Sequence, residues 1–199
     1  MFASTISPQE IERLPLAAFP GEIQVIDAPG NAFDQAVRYL SAKKVLGFDT
    51  ESRPTFSADQ PHYGVSLLQL SGDGKAFLFR VKKTGLDPRL CRILARKDIL
   101  KVGAAVHDDL AGLAKLYPFT PGGFIDLQKI VGDYGIAEKS VKKMAALILG
   151  VRISKTQQLS NWEAEHLSLA QMQYAATDAW ICREMYKRLT ESGPLTDSK

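Results

Sequence analysis

Carboxylates are the most chemically suggestive residues of this sequence, and three segments carry them in patterned company. The first is Gly47-Phe48-Asp49-Thr50-Glu51, which closes an apolar run beginning at Val45. The run reads as a short buried strand. Side chains alternate along a strand, so Asp49 and Glu51 share one face and Thr50 points to the other. Two carboxylates on one face of a hydrophobic strand repel each other and are costly to desolvate. Hard divalent ions such as Mg²⁺ and Mn²⁺ prefer oxygen ligands of this kind and relieve both costs. Alone, Asp-x-Glu is better read as two hydrated acids at a strand end, so the remaining segments must supply partners.

The second acidic segment follows Val102-Gly103-Ala104-Ala105-Val106, an apolar run of small residues that leads into His107-Asp108-Asp109-Leu110. It reads as a strand running into a helix start. Acids in a first helical turn are favoured by the helix dipole, which by itself explains one of them. His107 is a substrate-facing or structural residue here, since hard ions rarely choose imidazole. The third segment, Tyr174-Ala175-Ala176-Thr177-Asp178, lies inside a long helical pattern. Residues four apart share a helical face, and Ile181, Met185 and Leu189 continue that stripe, so Tyr174 and Asp178 face inward together.

The elements that must position these acids can be read in order. Ser7-Pro8-Gln9-Glu10 carries a capping box and starts a short helix within a loosely held leader, residues 1–22. Glu22 to Asp27 is a strand at a sheet edge. Asn31 caps a helix with Phe33, Val37 and Leu40 on one face. After the central strand, Ser52 to Tyr63 is a loop containing Pro54 and Pro61. Val65–Leu70 and Ala76–Val81 flank Ser71-Gly72-Asp73-Gly74, a hairpin signal. Asp87-Pro88 starts a helix, Lys101–Val106 is a strand with a helix after it, and Phe124–Leu127 is a short strand. Helices follow from Ser140 to Leu149 and from Ser168 to Leu189, the latter opened by a Ser168–Gln171 capping box. Residues 191–199 form a frayed tail. Strands first and then alternating helix and strand make an α/β protein with a mixed sheet flanked by helices.

A chain of 199 residues is one domain with room for a real core. Its net charge of +3 argues neither for nor against a polyanionic partner. Cys91 and Cys182 fall among apolar neighbours as buried free thiols, with no metal-type spacing. No signal-like start and no run of membrane-spanning length is present, so the expected place is the cytoplasm and no membrane partner is expected.

Taken in order, the three segments resemble the DEDD superfamily of 3′→5′ exonucleases. The resemblance is to its tyrosine-bearing branch, which includes ribonuclease D, the Werner-type exonuclease domain and the proofreading domain of bacterial DNA polymerase I. Leu67-Leu68-Gln69-Leu70 and Gln158-Leu159-Ser160-Asn161-Trp162-Glu163 fit the first two as well. The histidine-bearing branch carries its histidine five residues before the last aspartate. Here Gln173 stands at that position and Tyr174 follows it, as in the tyrosine type.

The resemblance covers roughly Ile23 to Leu189 and implies a ribonuclease H-like fold for an exonuclease domain over residues 23–190. It also implies that Asp49, Glu51, Asp109 and Asp178 hold two divalent ions, Mg²⁺ or Mn²⁺, with Tyr174 orienting the attacking water. Alignment on Leu110 selects Asp109, and a one-residue shift to Asp108 is the alternative. The implied partner is the 3′ end of a single-stranded nucleic acid, DNA slightly ahead of RNA, cut to 5′ nucleotide monophosphates. Thr50, Arg53, His107 and Lys155 are the expected substrate contacts, flanked by Lys142 and Lys143. For each of these cations a solvated surface charge is the competing reading. Trp162 could stack on a base, with core packing the stronger expectation. Three other functions compete: an enzyme acting on small nucleotides, which fits the histidine-bearing branch better, a non-catalytic nucleic-acid-binding module of the same fold, and an exoribonuclease that trims structured RNA. Ribonuclease D usually adds helical domains after its nuclease, which weighs against the last.

Overall fold

A computed structural model describes residues 2–57 and 63–194. Its centre is β2 (Val45–Ser52), and β3 (Val65–Ser71) and β4 (Lys75–Phe79) follow it as a meander. The sheet gains β1 (Glu22–Ile26) at one edge and β5 (Leu100–Gly103) and β6 (Phe124–Asp126) at the other, in the order β1-β4-β3-β2-β5-β6. β2–β3 and β3–β4 are antiparallel, whereas β1–β4, β2–β5 and β5–β6 are parallel. This is the expected mixed sheet. The hydrophobic run of β2 occupies an interior position, where both backbone edges are paired and its residues from Leu46 to Phe48 are buried.

Helices cover both faces. On one lie α2 (Asn31–Ser41), α4 (Pro88–Ala95) and α5 (Val106–Leu116), whose Phe33, Leu40, Leu94 and Leu113 pack with Phe48 of β2. Between them, α3 (Val81–Thr84) is one turn that follows α1 (Pro8–Glu12) and α2 in chain order. On the opposite face lie α7 (Val141–Leu149) and α8 (Leu169–Ser192), with the single turn α6 (Leu127–Ile130) nearby. There Met144, Ile148, Ile181, Met185 and Leu189 pack against Val102. The α8 stripe is therefore core, each such side chain contributing about 1.5–3 kcal/mol by burial.

Several local expectations shift. Gly30, not Asn31, is the N-cap of α2, and Asn31 is the first helical residue. β5 stops at Gly103 and α5 begins at Val106, because Ala105 turns into the left-handed region (φ 56°). The early segment is not loosely held. Ile11 and Phe19 are buried, the Phe19 amide donates to Thr177 Oγ1 at 3.0 Å, and Gln173 Nε2 donates to the Phe19 carbonyl at 2.7 Å. Its apolar residues follow no period, so their docking on α8 left no pattern in the sequence. Residues 191 and 192 are helical, and both Pro61 and residues 195–199 lie outside the described residues.

Candidate active site

Three of the expected acids meet. One carboxylate oxygen from each of Asp49, Glu51 and Asp178 lies within 4.8 Å of the others. Two features of the backbone bring them together. Gly47 lies two residues before Asp49 on the same strand face, and a Cβ there would collide with the Ala179 carbonyl of α8. Only glycine lets the helix backbone come this close to β2, which puts the adjacent Asp178 over the strand end. A register irregularity between Glu51 and Ser52 then bends β2 as it leaves the sheet.

The cluster lines a cavity of about 210 Å³ together with Thr50, Lys155, Gln158 and Tyr174. Charge is poorly tolerated there. Burial first, then Asp178 and Asp109, hold the Asp49 carboxyl well above the usual range. Glu51 is pushed up to about 10 by burial, with Asp49 and Asp178 adding to it. Asp178 is also raised by burial, against the opposing effect of Lys155 and a hydrogen bond from Tyr174. Burial raises the Tyr174 hydroxyl too, with Asp178 and Glu51 contributing, so that it stays protonated and donates. Three hard oxygen donors that resist ionising beside one another are suited to a divalent cation.

Asp109 arrives from the other side of the sheet. It extends from the first turn of α5, and Thr50 Oγ1 donates to its Oδ1 at 2.5 Å. It lines a second cavity, of about 480 Å³, that shares Thr50 as a wall with the first. The turn leading there is held by Asp126, whose Oδ1 accepts from the amides of Ala105 (2.9 Å) and Gln128 (3.0 Å). Asp108 is exposed and lines the same cavity, whereas Asp109 is half-buried and bonded to Thr50.

The expected substrate contacts part company. Lys155 reaches the cluster, with Nζ 3.1 Å from Asp178 Oδ2 and 3.5 Å from the Tyr174 hydroxyl. Thr50 links the two cavities. Arg53 lies 3.9 Å from Glu163 and over the Tyr63 ring. His107 is exposed and lines neither cavity. Lys142 pairs with Glu12 and Lys143 with Glu138, both near the surface. Trp162 is buried against Tyr174, ring centroids 5.9 Å apart, so it is core and no base can stack on it.

Two residues that the sequence reading passed over shape the site. Asp126 carried one faint signal, an acid closing the short strand Phe124–Asp126. Arg80 is buried and donates to the Ala164 and Glu165 carbonyls, pinning the segment that carries Trp162 and Glu163. Its only signal was a cation ending the apolar run of β4.

An acid cluster at the end of the central strand of a mixed sheet, under a long helix, is an arrangement of the ribonuclease H-like fold. The chain belongs to the DEDD-type 3′-5′ exonuclease family, whose sequence pattern it matches over residues 28–193. It is 33% identical over 150 residues to the fruit fly (Drosophila melanogaster) exonuclease 3′-5′ domain-containing protein 2, covering 73% of this chain and 25% of that protein. It is 29% identical over 158 residues to ribonuclease D of Gluconacetobacter diazotrophicus, covering 78% of this chain and 39% of the relative. The chain thus spans well under half of either protein. Escherichia coli RNase D superposes with a TM-score of 0.76 at 23% sequence identity, covering 85% of this chain and 44% of that one. Enzymes of this family use divalent metal ions, and the three clustered acids fit one.

Proposed function

We propose that the protein shortens single-stranded nucleic acid from its 3′ end and releases 5′ nucleotide monophosphates, using two divalent ions, Mg²⁺ or Mn²⁺. The observation that carries this reading is the meeting of Asp49, Glu51 and Asp178, with Asp109 approaching across Thr50. Asp49, Glu51 and Asp178 would hold one ion, and Asp109 would serve the other. When bound, such ions would supply a water of lowered pKa and offset charge on the departing 3′ oxygen. The remaining work belongs to the chain. Tyr174 stays protonated, so its hydroxyl positions the water and does not take its proton. Lys155 and Arg53 draw in phosphates. Thr50 keeps the Asp109 carboxylate turned toward the strand end. The buried walls of the cavity keep the acids poorly hydrated, which strengthens their hold on cations.

The test compares 5′-labelled single-stranded DNA and RNA side by side with Mg²⁺, Mn²⁺ or EDTA. A descending ladder that needs metal is expected. A mononucleotide released first from the labelled end, or undiminished cleavage in EDTA, would overturn the reading. An RNA-trimming enzyme is the second reading, favoured by the relative named ribonuclease D. Faster digestion of the RNA strand would select it.

A further inference from the structure

One of the chain's own cations occupies the Asp178 side of the acid cluster. Lys155 Nζ lies 3.1 and 3.3 Å from the two Asp178 oxygens and 5.3 Å from the centre of the Tyr174 ring. It comes from the irregular segment between α7 and α8, where neither a helix nor a strand fixes its backbone. Its side chain is 33% exposed, while that of Asp178 is 7% exposed. The pair thus joins a carboxylate locked in the core to an ammonium on a flexible stem that opens to solvent. Among the described residues no ion pair connects a base to Asp49 or Glu51, so Lys155 is the cation paired within the cluster.

A divalent ion held by Asp49, Glu51 and Asp178 would lie a few ångströms from that ammonium. Like charges at such a separation repel strongly in a poorly hydrated cavity. The buried helix cannot move aside, but the lysine stem can. An ammonium leaving Asp178 stays tethered at the mouth of the same cavity, where a substrate phosphate must enter. On the reading proposed above, we infer that Lys155 is an exchangeable internal counter-ion. It fills the Asp178 side of the cluster until a divalent ion displaces it, and it then pairs with the nucleic acid. Metal and substrate therefore bind cooperatively, each raising the other's affinity by the same factor.

The experiment titrates metal-free protein with Mn²⁺ alone by calorimetry, comparing the parent with Lys155→Met, which keeps length and loses charge. Mn²⁺ should bind the variant about tenfold more tightly, within the usual range of coupling between two sites. Lys155→Arg, which keeps the charge, should stay within about twofold of the parent. A single-stranded oligonucleotide with a 3′-terminal phosphorothioate linkage is then titrated with and without Mn²⁺. The parent should show affinity raised by the metal, and this gain should be smaller in Lys155→Met. Unchanged or weakened Mn²⁺ binding by Lys155→Met would overturn the counter-ion role. Should that variant unfold without metal, recovery of its far-UV spectrum with Mn²⁺ supports the proposal, and failure to recover overturns it. Absence of Mn²⁺ binding by the parent would overturn the metal site itself, a different and recognisable failure.

Discussion

The two faces of the sheet build the two halves of the site by different means. On the α8 face, a long capped helix lies directly on β2 at Gly47, and close packing puts Asp178 beside Asp49 and Glu51. On the α5 face, Asp109 is placed by a turn. Ala105 takes the left-handed conformation, Asp126 accepts from its amide, and Thr50 holds the carboxylate. The first half is a product of core packing and the second of local backbone geometry. Damage to the first should therefore show in charge balance and damage to the second in strain.

The largest effect is expected from the packed half. Asp49→Asn and Asp178→Asn should each lower turnover on a labelled single strand by at least about three orders of magnitude, roughly 4 kcal/mol of barrier. Their metal-free melting temperatures should diverge. Asp49→Asn removes a repelled carboxylate and raises the melting point, whereas Asp178→Asn strands Lys155 without its partner and does not. Equal turnover in both variants and the parent would remove the acid cluster from the chemistry. On the turn-built half, Asp109→Asn should cost about two to three orders of magnitude in turnover, and Asp108→Asn less than about twofold. The reverse ranking would move the site to the exposed neighbour.

Tyr174→Phe keeps the ring against Trp162 and should lower turnover by one to three orders of magnitude, about 1.4–4 kcal/mol. A hydroxyl with a merely structural bond would instead cost about 1 kcal/mol of stability and leave turnover alone. Measuring kcat and melting temperature on the same sample separates the two.

Burial raises the acids of both halves, Asp109 as well as Asp49 and Glu51. Asp49 and Glu51 have folded-state pKa values raised above their unfolded ones, so the native state holds more protons than the unfolded state in between. Stability in EDTA should fall as pH rises from 5 toward 8, because Glu51 is pushed up to about 10. Glu51→Gln should flatten that slope, and Asp108→Asn should not. Above that window Lys101 acts oppositely. It is fully buried and donates to the carbonyls of Ile93, Arg96 and Ile99. Burial holds its pKa down to about 8, so it adds stability as pH rises from 8 toward its unfolded value. Thermal melts at unit pH intervals check both signs.

The smallest effect belongs to the strained turn. Ala105→Gly should raise metal-free stability by about 1 kcal/mol, since a left-handed alanine costs about 1–2 kcal/mol before the added chain entropy of glycine. A lower melting temperature for this variant would mean that the turn carries no strain.

Much of the site was legible from spacing. Asp49 with Glu51, and Tyr174 with Asp178, share faces because strands repeat every two residues and helices every 3.6. The hairpin, the capped last helix and the inward stripe through Ile181, Met185 and Leu189 followed from the same short-range rules. Those rules depend only on neighbours along the chain. What they could not assign was every relation created by distant segments meeting. Thr50 was seen to face away from Asp49, but only the folded sheet shows Asp109 waiting there, 59 residues on. Lys155 read as a phosphate contact and lies on Asp178; Arg53 turns to Glu163 and Tyr63; Trp162 disappears into the core. The early segment holding Phe19 looked detached and is bonded to Thr177. A cation or an aromatic ring carries no period of its own. Its partner is whichever group the close approach of α8 to Gly47 leaves within reach, and that distance exists only once the helix has packed on the sheet.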